Sequence, residues 1–202
     1  AQIQVSVDGE GRVISNESGT DYSAYFDGDS AKYAVSYHDD GKLYLEAAMD
    51  HQHCLCAAAA QGCDHEKQTW IPWENANLLP SESGYYYLAT DVTQATALEL
   101  AGDTDIKLCL NGHTVTANGP EGKSADRIVG LKENATFTVT DCTATVDADG
   151  NYTAGKLTGG SLSAIMMRKE SVNATFHMYG GILTGNKALS GGAVCVQGTG
   201  IF

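Results

Sequence analysis

The phrase Asn-Ala-Thr-Phe occurs twice, at Asn134 to Phe137 and at Asn173 to Phe176, 39 positions apart, inside the longer matching stretches 133–139 and 172–178. Both copies alternate apolar and polar side chains, the period of a strand. A second echo runs through His113-Thr114-Val115-Thr116, Gly155-Lys156-Leu157-Thr158 and Gly181-Ile182-Leu183-Thr184, with Gly or Asn corners after each. Short strands of this kind, with no helical period between them, bury an apolar face only by stacking on their neighbours, as in a β-solenoid. The spacing is uneven, so one repeat is expected to carry a loop at residues 143–152. Gly198-Thr199-Gly200-Ile201-Phe202 reads as the opening of another repeat, because Phe202 stands 26 positions after Phe176. A solenoid end needs a cover, so the chain is expected to continue past Phe202 or to meet a partner there.

Composition narrows the setting. Charged residues make up 18% and hydrophobic ones 43%, while Gly reaches 23 and Pro only 3, which fits a folded chain with many tight bends rather than a disordered one. The net charge of −13, with Asp8, Glu10, Glu17, Asp21, Asp27, Asp29, Asp39, Asp40, Glu46 and Asp50 all in the first fifty positions, repels nucleic-acid phosphate and anionic lipid. Neither is expected as a partner. No apolar run approaches the roughly 20 residues that span a bilayer, so membrane insertion is not expected. The start Ala1-Gln2-Ile3-Gln4 fits a chain whose secretory signal has been removed.

Three segments are expected. Residues 1–50 alternate in short bursts, Ile3-Gln4-Val5-Ser6-Val7 and Tyr33-Ala34-Val35-Ser36-Tyr37, between Asp8-Gly9, Asp27-Gly28 and Asp40-Gly41; this predicts an antiparallel β unit with hairpin turns. Residues 51–83 form a Cys/His-rich cap, and residues 84–202 the first coils of the stack.

The cap holds His51, His53, Cys54, Cys56, Cys63 and His65 with few core-forming residues around them, so its order must come from a metal or a disulfide. Cys54-x-Cys56 with Cys63-x-His65 offers four ligands suited to tetrahedral structural zinc, with His51 and His53 in reserve. Disulfide pairing is the other reading, since six cysteines in an exported chain sit where bridges persist, although a Cys-x-Cys bridge is strained. Cys109, Cys142 and Cys195 stand in separate apolar strands and are expected as small buried hydrophobes lining the interior.

His113, in Asn111-Gly112-His113, could serve as a general base, but the sequence itself places no carboxylate or nucleophile beside it, so a turn corner is expected; His38 and His177 are read alike. Asp147-Ala148-Asp149-Gly150-Asn151 lacks the spacing and final Glu of a calcium loop and is expected as a hairpin turn. Trp70, Trp73 and Tyr86, with Tyr85 and Tyr87, either stack a sugar or cover the first coil.

Three stretches together carry a resemblance: His51-Gln52-His53-Cys54-Leu55-Cys56; residues 84–92 leading to Leu108-Cys109-Leu110-Asn111-Gly112-His113; and Phe176-His177-Met178-Tyr179-Gly180-Gly181 through Gly191-Gly192-Ala193-Val194. Over residues 51–202 the chain resembles a group of large secreted bacterial surface proteins with adhesin-like, polymorphic-membrane-protein-style repeats. The resemblance implies that the repeats wind into a right-handed parallel β-helix; with the small N-terminal β unit and the Cys/His-rich cap read above, the expected fold is all-β. If the family's signature marks the ligands, the set becomes His53, Cys54, Cys56 and His65, with Cys63 outside it.

The expected function is a noncatalytic module at a bacterial surface, or secreted, that binds a host glycoprotein or glycan. Two alternatives remain: the N-terminal part of a β-helical polysaccharide lyase or glycoside hydrolase, whose paired acids would lie in later coils, and a structural stalk that self-associates edge to edge.

Overall fold

The computed structural model describes residues 12–15, 33–37, 41–47, 51–56, 64–118, 126–189 and 191–202. Among them every regular element is a strand, and no helix is long and apolar enough to cross a membrane. The chain divides into two compact units, residues 1–52 and 53–202, so residues 53–83 belong to the larger unit.

The smaller unit is an antiparallel sheet of β1 (Arg12–Ser15), β2 (Tyr33–Tyr37) and β3 (Lys42–Ala47), in the order β1-β3-β2. Strands β2 and β3 pair from Tyr33↔Ala47 to Tyr37↔Leu43. Gly41 enters β3 with φ at 76°, a left-handed conformation that glycine adopts without steric cost, and Leu43 is fully buried. The stretch expected at Ile3 to Val7 and the Asp8-Gly9 and Asp27-Gly28 turns lie outside the described residues.

The larger unit begins with a two-stranded sheet of β4 (Gln52–His53) and β5 (Gln68–Thr69). The unit boundary falls inside β4, on the short continuous segment 51–56. Next come β6 (Ile71–Trp73), β7 (Gly84–Leu88), β8 (Val92–Gln94), β9 (Leu98–Leu100), β10 (Asp105–Cys109), β11 (Thr114–Ala117), β12 (Val129–Leu131) and β13 (Thr136–Thr140). After these lie β14 (Thr145–Val146), β15 (Tyr152–Thr153), β16 (Lys156–Thr158), β17 (Ile165–Met167), β18 (Thr175–Met178), β19 (Ile182–Leu183) and β20 (Val194–Val196).

These strands build three parallel sheets, β6-β7-β10-β13-β18, β8-β11-β16-β19 and β9-β12-β17-β20. From β7 onward the chain visits first, second and third sheet in turn and then returns to the first, one strand further along. The antiparallel pair β14-β15 interrupts one cycle and accounts for the loop expected at 143–152. Asp147 caps its turn by accepting from the amides of Asp149 and Asn151 at 2.9 and 2.8 Å, and the bonds from Asn151 hold its carboxyl below the usual range.

Register explains the repeated phrases. Thr136 and Phe137 pair with Thr175 and Phe176; Val115 pairs with Leu157, and Leu157 with Leu183. The inward positions stack into columns: Ile106, Phe137 and Phe176 from the first sheet, Val92, Val115 and Leu157 from the second, and Leu100, Leu131 and Met167 from the third make one buried core. Phe176 stacks on Phe137 at 6.2 Å and on Phe202 at 5.6 Å. Asp103, Asn134 and Asn173 each stand two residues before a first-sheet strand with φ near 60° (60°, 59° and 57°), the left-handed corner that Asn and Asp tolerate best among non-glycine residues.

One buried charge organises the corner between β13 and β16. Asp141 is fully buried and accepts from the amides of Thr143 (2.9 Å), Gly112 (3.2 Å) and Gly155 (2.5 Å) and from the Thr143 hydroxyl (2.7 Å). Gly155 has no room for a side chain, because a Cβ there would collide with the His113 carbonyl. A carboxylate so enclosed is tolerable only because its lone pairs are satisfied. Replacing Asp141 with Ala orphans these donors and should lower the unfolding free energy by about 2–4 kcal/mol in urea denaturation. An equal midpoint for D141A and the wild type would show that the corner does not depend on this carboxylate.

Candidate metal centre

The site is built on the outer side of the first sheet. Successive residues of a strand point to opposite faces, so with Ile106 and Leu108 in the core, Lys107 and Cys109 face outward. Register puts Tyr87, Cys109 and Thr140 in one outward row. Cys142, two residues beyond Thr140, donates its amide to Cys109 Sγ at 3.4 Å. Cys54, Trp70, Cys109 and Cys142 form a second apolar cluster, separate from the core, with Leu55, Cys56, Tyr85 and Tyr87 packed against it.

Trp70 is the keystone of this layer. It is only 1% exposed, its ring stacks on the His53 imidazole at 4.2 Å, and it meets Tyr85 edge-on at 5.3 Å. Its indole N–H donates to the His53 carbonyl at 2.9 Å. His53 Nδ1 lies 2.6 Å from the Cys54 carbonyl; a carbonyl only accepts, so Nδ1 carries a proton and a metal would bind through Nε2. Thr140 Oγ1 donates to the Leu55 carbonyl at 2.8 Å and fastens the backbone of the segment to the sheet.

Two groups of donors result. His53, Cys109 and Cys142 are buried and, with His51, bring four ligand atoms within 4.8 Å of one another. Cys54, Cys56 and His65 make the second group within the same limit; Cys56 Sγ lies 3.1 Å from His65 Nδ1, and the Cys56 amide donates to Cys54 Sγ at 3.4 Å. The described cysteines form no disulfide with one another. Burial, and then the neighbouring Cys142 thiol, push the Cys109 thiol well above its ordinary pKa, because a thiolate in an apolar layer has neither water nor a counter-charge. A metal ion supplies that charge, and taking it up displaces protons. Two imidazoles and two thiols are the donor set of a closed tetrahedral site, so the first group can hold a metal ion.

No protein-family model matches this chain, and no curated protein or solved structure matches it.

The six ligands read from the sequence as one set therefore stand in two groups: His51 and His53 in the first, Cys54, Cys56 and His65 in the second, while Cys63 lies outside the described residues. Cys109 and Cys142 were expected as interior filling. They are buried, but in the outer layer, and Cys195 belongs to neither apolar cluster. The signal was present in Ile106-Lys107-Leu108-Cys109: once Ile and Leu point inward, Cys109 must share a face with Lys107.

Trp70, one of the expected ligand-binding aromatics, is enclosed and has no face to offer a sugar. Trp73 and Tyr86 meet edge to face at 5.7 Å and pack on the core, so the three rings do not make a flat platform. His113 stands at the corner expected of it, its amide closing the turn on the Leu110 carbonyl at 2.8 Å. The fold sets Asp91 beside it, Oδ1 lying 3.1 Å from His113 Nδ1, and the Thr114 amide, with His113 in support, holds the Asp91 carboxyl below the usual range.

Replacing Cys109 or Cys142 with Ser should cost one equivalent of bound metal per chain, measured by elemental analysis after anaerobic purification, whereas C195S should keep the full complement. Equal metal content in C109S and C195S would remove Cys109 from the ligand set.

Proposed function

We propose that this chain is a noncatalytic binding module of a bacterial surface or secreted protein. Its larger unit is a right-handed parallel β-helix, pinned by a structural zinc ion on His51, His53, Cys109 and Cys142. The observation that carries the reading is the group of two imidazoles and two thiols, three of the four buried, drawn from chain positions far apart and held within 4.8 Å. The β-helix reading is supported by the cyclic order in which the strands enter the three parallel sheets and by the inward columns they share.

Zinc suits the donors because two thiolates and two imidazoles match its borderline softness and impose no redox chemistry. The ion acts as a staple. It ties the segment around His53, which has few apolar residues of its own, to β10 and to the end of β13, and its binding free energy becomes folding free energy. The acidic surface, −13 overall, favours neutral glycans or basic patches of a host glycoprotein over nucleic acid or anionic lipid.

Two measurements test this. With free zinc 1,000-fold above its dissociation constant, the ion contributes about 4 kcal/mol, so chelation should lower the melting temperature by about 8–16 °C, and zinc should restore it. An unchanged melting curve after complete removal of metal would sink the staple. Glycan arrays and host-glycoprotein capture should give saturable binding without turnover; hydrolysis or elimination of a polysaccharide by this chain would replace the binding module with an enzyme.

A further inference from the structure

We propose that Cys54, Cys56 and His65 form a second metal site, separate from the first, which takes a thiophilic d10 cation such as Zn2+ and leaves one coordination position open to a ligand from outside the chain. The two groups share no donor, so neither needs a residue of the other. The second does not depend on zinc at the first.

The backbone prepares this site. Cys54 and Cys56 flank Leu55, whose carbonyl is held by Thr140 Oγ1 at 2.8 Å, with the Cys56 carbonyl 3.4 Å from the same hydroxyl. That anchor sets both sulfurs from one short turn. The Cys56 amide donates to Cys54 Sγ at 3.4 Å, which holds the sulfur over the turn. His65 closes on Cys56 from the other side, Nδ1 to Sγ at 3.1 Å.

Burial separates the roles of the two groups. Three donors of the first group are buried, whereas in the second Cys54 is buried, Cys56 half-buried and His65 exposed. Among the described residues this group offers two thiolates and one imidazole with one side open to solvent, the ligand count that leaves a tetrahedral ion its fourth position. Water fills that position until an imidazole, thiolate or carboxylate of a partner replaces it. The enclosed group is suited to holding an ion permanently, and the open one to exchanging its ion and to docking through it.

The test uses the full chain, purified anaerobically and fully reduced, titrated with Zn2+ against a chromophoric chelator. Two equivalents per chain are expected, one readily exchanged and one retained. His65 is exposed, so H65A should fold normally; it should lose the exchangeable equivalent and keep the retained one. In the Co2+-loaded protein, added imidazole should shift the visible ligand-field bands of the wild type and leave those of H65A unmoved. Full retention of both equivalents by H65A, or loss of both together, would overturn the second site. An absence of any imidazole shift in the wild type would overturn its open position. A single equivalent that H65A abolishes would remove the zinc staple and leave this site standing; a single equivalent that H65A leaves intact would do the reverse.

Discussion

Parallel, in-register pairing of β10 with β13 and of β13 with β18 is the constraint on which the other features depend. It stacks Ile106 on Phe137 and Phe137 on Phe176, and the free energy of burying such side chains, about 25 cal/mol per Å² of apolar surface, holds the sheets around one core. The same pairing dictates what faces the other way. Because side chains alternate, every inward column creates an outward one, and the outward row through Tyr87, Cys109 and Thr140 becomes the floor of the metal centre. Core and site are two faces of one pleat.

The segment that covers this floor is weak in its own right. It contributes Cys54, Trp70 and little else to a buried apolar layer, and its two strands β4 and β5 are two residues each. Its order comes from directional contacts: Trp70 stacked on His53 and bonded to its carbonyl, and Thr140 bonded to Leu55. These contacts bring the imidazole to Cys109 and Cys142, and burial pushes the Cys109 thiol up. An ion in that position would relieve the thiols and secure the segment at once.

Polar groups elsewhere in the larger unit serve the turns. Asp141 gathers four donors at a buried corner, Asp147 shapes the exposed hairpin, and Asp91 ties His113 and Thr114 together. In each case a short carboxylate satisfies backbone amides where the chain leaves a strand, because the ladder no longer provides acceptors there.

The amino-acid sequence by itself determined the strand phrases, their Gly and Asn corners, the inserted hairpin and the choice of residues 51–65 as ligand-rich, since period and composition are local properties. Residues 134–137 and 173–176 could be recognised as neighbours because each strand presents the same alternation to the next. Tertiary structure alone decided that His51 and His53 would meet Cys109 and Cys142, that Cys54, Cys56 and His65 would stand apart from them, and that Trp70 would be enclosed. Those outcomes rest on which face of one strand lies beneath a segment remote in sequence. Parity along a strand becomes a direction in space only when the opposite face has found its core.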